Sequence, residues 1–363
     1  MGKRKSSVEG MGRLMQNFYS GKRVFITGHT GFKGSWLCKM LSSMGAKVTG
    51  YALEPSTDPS LFKLAGIESE ITSVTGDVRD FDSLKKAFDK AKPEIVFHLA
   101  AQPLVRESYN NPVYTYETNV MGTVNLLECV RQSTCVKSVV NVTTDKVYEN
   151  KEWQWGYREN ERLDGFDPYS NSKSCSELAT SAYKRSFFAN NSVAISTARA
   201  GNVIGGGDFS SNRIIPDCVR ALQSGKNITV RNPHSTRPYQ HVIEPLYAYL
   251  LIAKAQYENP ELAGSYNVGP DDVDCVNTGK LVDLFVHLTG GKIKRVDKSE
   301  ANAPHEANFL KLDCSKIKSA LGWKPRWHVS EAVAKTVLWT LIWLDGGNTG
   351  KVMDRQIKEY FEG

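Results

Sequence analysis

The sequence lacks the features that mark membrane, secreted and zinc-binding proteins. It has no run near the roughly 18 apolar residues that span a bilayer, and its start has no signal-peptide core of about 7 to 15 apolar residues. Its seven cysteines are an odd number and none forms a C-x-x-C pair, so neither a disulfide framework nor a zinc site is predicted. Reduced thiols are typical of the cytoplasm, where we expect this protein to act without a metal.

A strong excess of charge of one sign is also missing. Lys and Arg number 46 against 39 Asp and Glu, and apart from a cluster at residues 3–5 the excess of 7 is scattered. A scattered excess does not predict nucleic-acid binding, although a net positive protein suits a small anionic substrate. The start of the chain is polar and contains Met1, Met11 and Met15, and we predict a disordered tail over residues 1–20.

The chain does contain a regular alternation of short apolar segments and amphipathic segments. Between residues 21 and 200 the apolar segments predict strands and the amphipathic ones predict helices. This order predicts an α/β fold with a Rossmann-type doubly wound parallel sheet, in which ligands bind beyond the carboxyl ends of the strands. The expected strands cover residues 24–27, 47–53, 71–75, 94–99, 136–142 and 193–198.

The regular alternation stops after residue 200, and this change predicts a second unit. We expect residues 21–200 to form the cofactor-binding domain, with residues 238–270 returning to it. Residues 201–237 and 271–350 then form a smaller C-terminal α/β domain that binds the substrate.

Three glycines follow the first expected strand. They sit three apart in G-H-T-G-F-K-G, ahead of a helix whose apolar residues lie on one face. Glycine lets the backbone approach a pyrophosphate, and a helix N-terminus offers free N–H groups to it. A tight turn is the alternative, but the order strand, loop, helix favours a dinucleotide. The expected cofactor contacts in this loop are Gly28, Thr30, Gly31, Phe32, Lys33 and Gly34.

The ends of later strands supply further candidates for the cofactor site. Asp77 and Val78 follow the third strand and could reach an adenine. Leu99 ends the fourth strand as a further cofactor contact, and the small side chains of Ala100 and Ala101 would let the cofactor lie against the backbone. Glu54, after the second strand, would accept from ribose hydroxyls and favour NAD over NADP. Lys33 could favour the opposite, so the choice between NAD and NADP stays open.

The stretch from Thr144 to Lys173 carries the candidate catalytic groups. Thr144 and Asp145 follow the fifth strand, and Tyr169 and Lys173 are four apart, so both lie on one face of a helix. An ammonium near a phenol favours the phenolate, which is a useful base. A Tyr and a Lys at this spacing usually lie on a helix surface without a catalytic role. The expected position of this pair at the same sheet edge as the glycine loop favours the catalytic interpretation.

Residues 231–241 contain two Arg and two His within eleven positions. A solvated loop explains such a cluster, yet an anionic substrate such as a nucleotide diphosphate also needs Arg side chains of this kind.

Five motifs together resemble the extended short-chain dehydrogenase/reductase family. They are G-H-T-G-F-K-G-S-W, H-L-A-A-Q-P-L-V, T-T-D-K-V-Y, P-Y-S-N-S-K and R-A-G-N-V-I-G-G-G-D, and the resemblance covers roughly residues 15–345. Within the family the chain is most similar to the nucleotide-sugar 4,6-dehydratases. The residue after Asp145 is Lys146, whereas the dTDP-glucose branch has Glu there. In this position the chain resembles the branch that acts on CDP-glucose.

The resemblance implies a role for each motif residue. Tyr169, with Lys173 and Thr144, would take the proton of the sugar 4-hydroxyl while NAD accepts the hydride; Asp145 would protonate the departing 6-hydroxyl. Lys146 or another residue would be the base at C5. The resemblance also implies a homodimer or homotetramer that associates through the helices at residues 112–134 and 169–188. The implied substrate contacts are Gln102, Arg106, Asn202, Arg213 and Arg237.

Two other functions stay open. A dTDP-, GDP- or UDP-sugar dehydratase or a nucleotide-sugar 4-epimerase would share Tyr169, Lys173 and NAD, but an epimerase does not need the acid that expels water. A binding protein that kept the fold and lost the chemistry would be expected to lack Tyr169, Lys173 or Asp145, and all three are present.

Overall fold

A seven-stranded parallel sheet organises the molecule, as the alternation predicts. The computed structural model describes residues 12–189, 193–298 and 309–362, and its sheet has the strand order β11-β6-β5-β4-β1-β2-β3. The central strands are buried along their whole length, which parallel strands covered by helices on both faces require. The strands are β1 Arg23–Thr27, β2 Lys47–Ala52, β3 Thr72–Thr75, β4 Ile95–His98, β5 Ser138–Val142, β6 Ala194–Ala200, β7 Val203–Ile204, β8 Ile228–Val230, β9 Thr236–Pro238, β10 Gln240–His241, β11 Ser265–Val268, β12 Cys275–Asn277 and β13 Arg295–Asp297.

Helices cover both faces of the sheet. The helix that begins with Pro168 shows how the sequence sets their ends, because the Asp167 side chain caps its first turn and proline tolerates the first helical position. In the described parts of the chain, no helix has the length and apolar character to cross a membrane. The helices are Phe32–Ser43, Leu61–Leu64, Phe81–Ala91, Val105–Asn110, Pro112–Tyr116, Gly122–Arg131, Pro168–Phe187, Ile214–Ser224, Ile243–Glu258, Thr278–Leu288, Ser315–Leu321, Val329–Leu344 and Thr349–Glu362.

A π-helical turn, Glu117–Met121, joins two of these helices into one continuous rod. The helix expected at residues 112–134 is therefore Pro112–Tyr116, the π-helical turn and Gly122–Arg131. Turns of this kind are frequent near functional sites.

The C-terminal half builds a second apolar core beside the sheet. Short strand pairs β7·β10, β9·β12 and β8·β13 surround it, and Val219, Leu281 and Val333 lie in it. β11 instead pairs with β6 and extends the main sheet. The sequence did not predict the last helix, Thr349–Glu362, which buries Tyr360 and Phe361 against the core.

The predicted disordered tail is wrong for its second half. Residues 12–19 are helical, and Met15 and Tyr19 are 1% and 0% exposed. The Tyr19 hydroxyl donates to the Leu250 carbonyl at 2.7 Å, so this segment packs on the Ile243–Glu258 helix. Its apolar residues recur at helical spacing, which the polar start of the chain obscured. Residues 1–11 of the predicted tail lie outside the described residues.

Candidate active site

The carboxyl edge of the sheet brings the predicted residues to one side of the molecule. Gly28 follows β1, Asp77 lies beyond β3 and Leu99 follows β4. Thr144 follows β5 by two residues, and Gly201 follows β6 directly. Because all these strands run in parallel, their ends meet where α/β proteins bind ligands.

The glycine loop has the shape of a dinucleotide cradle. Gly28 has φ +78°, and a Cβ there would lie 2.7 Å from the Ala100 nitrogen, so the loop and the β4 end touch through backbone alone. A Cβ on Gly34 would lie 2.1 Å from the Gly28 carbonyl oxygen. Gly31 precedes the Phe32–Ser43 helix without a side-chain cap, so the N–H groups of the first turn face the loop unblocked by a side chain. These residues fit a bound pyrophosphate.

Three other residues of this loop hold its shape or face the candidate catalytic groups. The Thr30 hydroxyl donates to the Leu53 carbonyl at 2.9 Å and ties the loop to the end of β2. Phe32 is half-buried and packs toward Gly205, whose added Cβ would lie 3.2 Å from its ring. Lys33 is half-buried, and its pKa is lowered to about 8 by burial and by the charges of Arg213 and Lys173, while Asp145 opposes the shift.

The segment after β3, which carries Asp77, contains a side chain that the sequence did not single out. Arg79 donates to both oxygens of Asp77 from its backbone N, Nε and Nη2 at 2.7 to 2.9 Å. It also stacks on Tyr114 at 4.7 Å and bonds Glu117 at 3.0 Å. Burial raises the pKa of Asp77, but these bonds from Arg79 outweigh it and hold that pKa below its usual value. Arg79 therefore orients Asp77. Its position two residues after Asp77, in D-V-R, is the sequence feature from which this contact could have been predicted.

Glu54 remains a weak indicator of cofactor type. It is exposed at the end of β2 and accepts a hydrogen bond from the Thr75 hydroxyl at 3.0 Å. Leu99 and Ala100 are half-buried, and the Ala100 N–H donates to the Thr27 hydroxyl at 3.2 Å.

The Thr144–Asp145 turn presents a buried carboxyl. Thr144 caps the 3₁₀ turn Asp145–Val147, and its hydroxyl donates to Asp145 Oδ1 at 2.9 Å. Asp145 is 1% exposed, and among the described residues its Oδ2 has no hydrogen-bond partner. Burial raises the pKa of Asp145, although Lys146, Thr144, Arg237 and Lys33 pull it down. A carboxyl in this setting holds its proton to a higher pH than usual and can donate it.

Lys173 lies under this turn on the Pro168–Phe187 helix. It is 4% exposed, and its Nζ donates to the Val142 carbonyl at 3.2 Å, so the ammonium is fixed at the end of β5. Burial lowers the pKa of Lys173 to about 8, and the Glu177 carboxylate opposes that shift.

Tyr169 departs from expectation in its electrostatics. Burial raises its pKa to about 12; a hydrogen bond with Thr144 and the charge of Arg213 lower it, while Asp145 and Asp167 add to the rise. Lys173, from which the acidification was predicted, is not among the main groups that act on this pKa, and desolvation outweighs the lowering by Thr144 and Arg213. The groups that favour the phenolate most are Thr144 and Arg213.

The predicted substrate residues fall into two groups. Gln102 is buried, donates to Thr115 Oγ1 at 2.9 Å and accepts from the Leu104 N–H at 2.6 Å, so its side chain shapes its own loop. Arg106 is half-buried on the Val105–Asn110 helix. The Gln102 side chain therefore bonds Thr115 and Leu104 rather than the catalytic candidates.

The other three lie at the C-terminal side of the site. Arg213 pairs with Asp208 at 3.2 Å, and its charge acts on Tyr169. Arg237 is 5% exposed, and its charge acts on Asp145. Asn202 is half-buried, and its carbonyl accepts from the Gln240 N–H at 3.1 Å. Cations around Asp145 and Tyr169 suit an anionic substrate.

Sequence reasoning missed the buried ion pair between Glu177, on the Pro168–Phe187 helix, and Arg199, on β6. Glu177 is one helical turn after Lys173, a spacing that puts it on the same face. Within the described residues, no group of three or more His, Cys, Asp or Glu side chains is placed to hold a metal ion.

Known proteins with similar sequence or structure agree with this geometry. The family model described as GDP-mannose 4,6 dehydratase matches residues 25–336. The chain is 50% identical to CDP-glucose 4,6-dehydratase of Salmonella typhimurium, over 95% of this chain and 98% of that protein. It is 27% identical to CDP-paratose 2-epimerase of Salmonella typhi, over 88% and 99% of the two chains.

Two solved structures show the same fold. UDP-glucose 4-epimerase of Thermotoga maritima, solved with UDP-glucose, superposes with a TM-score of 0.77 at 22% identity over 88% of this chain and 99% of the other. dTDP-glucose 4,6-dehydratase of Bacillus anthracis, solved with NAD, gives 0.72 at 22% identity over 88% and 96%. The resemblance predicted from the five motifs is confirmed, and the chain belongs to the GDP-mannose 4,6 dehydratase family.

Proposed function

We propose that this protein is an NAD-dependent hydro-lyase that converts CDP-D-glucose to CDP-4-dehydro-6-deoxy-D-glucose and water. The Salmonella typhimurium relative, 50% identical over almost the whole chain, supports CDP-glucose as the substrate. Two proteins that are 50% identical over 351 residues are expected to act on the same nucleotide.

One observation separates dehydration from epimerisation. Asp145 is a buried carboxyl with raised pKa and a free Oδ2 among the described residues, hydrogen-bonded to Thr144 at the end of β5. A 4-epimerase moves a hydride and one proton, whereas loss of water from C5 and C6 also needs an acid for the leaving hydroxyl. Asp145 supplies that acid.

The cofactor site is assigned to the glycine cradle and the β3 and β4 ends. Gly28, Gly31 and Gly34 would face the pyrophosphate. Asp77 would face the adenine, and the small side chain of Ala100 would let the cofactor lie against the backbone after β4. When bound, NAD accepts the hydride from sugar C4 and returns it to C6.

The catalytic side chains divide the remaining steps. Tyr169, with Thr144 beside its hydroxyl, takes the proton of the sugar 4-hydroxyl. The resulting ketone acidifies the proton at C5, for which the neighbouring Lys146 is the candidate base. As that proton leaves, the C5=C6 double bond forms, the C6–O bond breaks and Asp145 donates a proton to the departing hydroxyl, which becomes water. The base at C5 gives its proton back to C5 when the hydride reaches C6.

Basic residues would hold the substrate's diphosphate and sugar. Arg213 and Arg237 act electrostatically on Tyr169 and Asp145, so an anion bound between them would lie next to the reacting sugar. Asn202 lies on the same side, after β6.

A nucleotide-sugar panel tests this proposal. Purified protein would be incubated with CDP-glucose, dTDP-glucose and UDP-glucose, and the 4-keto product would be read by its absorbance in alkali. We expect product from CDP-glucose at a kcat/KM at least about 100-fold above the other two, equivalent to about 2.7 kcal/mol in transition-state binding. If a C4 epimer forms without the alkaline absorbance, the proposed dehydratase activity is wrong and the protein is an epimerase.

We further propose that the protein acts in the cytoplasm as a homodimer or homotetramer. All seven cysteines are free thiols, which suits a reducing compartment. The rod that ends in Gly122–Arg131 and the Pro168–Phe187 helix pack on each other, and they expose Val113, Met121 and Leu178 by 51% to 69%. Apolar side chains on two adjacent helices suit association with a second copy.

Charge on these helices should therefore dissociate the oligomer. The double variant Met121→Glu and Leu178→Glu is expected to elute as a monomer with a light-scattering mass near that of one chain. Val273→Glu is the matched control, because Val273 is 76% exposed but lies outside both helices. A wild-type protein that is already monomeric, or a double variant with unchanged mass, would contradict the proposed interface.

A further inference from the structure

We propose that the buried pair Glu177–Arg199 consists of positioning residues that fix the Thr144–Asp145 turn against the helix carrying Tyr169 and Lys173. The inference deepens the proposed function and rests on it for the roles of those four residues. Neither Glu177 nor Arg199 is proposed to touch substrate or cofactor.

The pair is fully enclosed and doubly bonded. Arg199 Nε and Nη2 donate to the two oxygens of Glu177, each at 2.9 Å, and the side chains are 3% and 2% exposed. A buried ion pair pays a desolvation cost close to its Coulomb gain, so it adds little net stability compared with apolar side chains of similar size. Stability alone is therefore a weak reason for its presence at this place.

The pair holds both ends of the catalytic turn. Before the turn, the Thr143 hydroxyl donates to Glu177 Oε1 at 2.6 Å. After it, Arg199 Nη1 donates to the Tyr148 hydroxyl at 2.8 Å, and that hydroxyl donates to Asn267 Oδ1 at 2.7 Å. The segment that carries Thr144, Asp145 and Lys146 is thus attached at residues 143 and 148 to one ion pair.

The remaining bonds anchor the pair to the sheet. Thr197, on β6, donates to Glu177 Oε2 at 2.7 Å, and Arg199 Nη1 also reaches the Glu159 carbonyl at 2.9 Å. Within the described residues, Thr143, Thr197 and Arg199 bond the Glu177 carboxylate, so its task is structural and not proton transfer.

Glu177 also acts on the charge of Lys173. The groups that face Lys173 are Glu177 on its own helix, Lys33 from the glycine loop and His98 from β4. Of these, Glu177 is the anion, and it raises the pKa of Lys173 against the lowering by burial. Removing its charge would lower that pKa further, so Lys173 would lose its proton at a lower pH.

Glu177→Gln tests both effects. We expect kcat to fall roughly 10- to 100-fold, the cost of a small misplacement of catalytic groups, with little change in KM. With protonated Lys173 as the active form, the decline of kcat at alkaline pH should begin at a lower pH than in wild type. Amide hydrogen exchange of a peptide spanning residues 143–148 should accelerate, a readout that needs no substrate.

Three further variants separate the effects. Thr143→Val and Tyr148→Phe each release one end of the turn and keep the ion pair, so exchange should rise while the alkaline decline stays in place. Glu244→Gln is the matched control: Glu244 is also buried and accepts from the Trp327 N–H at 2.7 Å, far along the chain from the turn. It should leave exchange at residues 143–148 unchanged.

The outcomes are distinct. Unchanged exchange at residues 143–148 in Glu177→Gln, Thr143→Val and Tyr148→Phe would overturn the inference, and the two milder variants decide the matter if Glu177→Gln does not fold. If exchange is faster in the variants but the wild-type protein does not turn over CDP-glucose, the positioning role of the ion pair is supported and the proposed function is rejected. An unmoved alkaline decline in a folded Glu177→Gln would refute the electrostatic half.

Discussion

Tyr169→Phe is expected to abolish formation of the 4-keto product while the variant still folds and binds NAD. Removing the hydroxyl deletes the group that takes the proton of the sugar 4-hydroxyl, and positioned acid–base groups contribute roughly 10²- to 10⁴-fold. The hydroxyl sits beside Thr144 and is influenced by the charge of Arg213, and phenylalanine would lose both interactions. The fall should appear in kcat, because substrate binding depends mainly on other residues.

The measurement needs a control for the loss of a tyrosine hydroxyl alone. Tyr116→Phe provides it, since the Tyr116 hydroxyl donates to Asn171 Oδ1 at 2.9 Å on the same helix but outside the catalytic set. Both variants would be assayed with CDP-glucose by the alkaline absorbance, and NAD binding would be measured by calorimetry. Full activity in Tyr169→Phe, or equal losses in the two variants, would remove Tyr169 from the catalytic role.

The fold could be predicted because its signals are local. Apolar runs such as Val139 and Val140 in β5 mark strands that are buried on both faces, and the glycine spacing marks the loop that follows β1. The pair Tyr169 and Lys173 was visible for the same reason, since a helix places residues four apart on one face. Each of these inferences needs only neighbouring positions.

The parts that the sequence does not predict depend on contacts between distant residues. The Gln102 side chain donates to Thr115 Oγ1, 13 positions away, and no motif pairs these two residues. Glu177 and Arg199 are separated by 22 positions, and no spacing rule pairs them. Such partners are set by tertiary packing, which a single sequence does not display.

Electrostatics failed for a related reason. The sequence places a cation near Tyr169, which predicts a more acidic phenol, whereas the structure raises the pKa of Tyr169 to about 12 because burial outweighs the charges. Burial is a property of the folded molecule. The same effect raises the pKa of Asp145, so its carboxyl holds a proton to a higher pH than an exposed Asp does.

Asp145→Asn should therefore stop water loss while leaving the first oxidation in place. Asparagine keeps the shape and can still bond with Thr144, but its amide cannot give a proton to the departing 6-hydroxyl. We expect the 4-keto-6-deoxy product to fall roughly 10²- to 10⁴-fold. Cofactor reduction by CDP-glucose, followed by absorbance, should persist, because Tyr169 and Lys173 are intact.

The pH profile and a matched variant make this result specific to the acid. Since Asp145 works in its protonated form, elimination in wild type should decline as pH rises through its raised pKa, and that dependence should vanish in Asp145→Asn. Asp274→Asn changes another buried carboxyl, which accepts from the Val329 N–H at 2.9 Å away from the site, and should retain activity. If oxidation and elimination fell together in Asp145→Asn, the residue would be placing the sugar rather than protonating its leaving group. The acid would then have to be sought among the other groups at this edge of the sheet, beginning with Lys33, whose lowered pKa and proximity to the same charges make it the next proton donor.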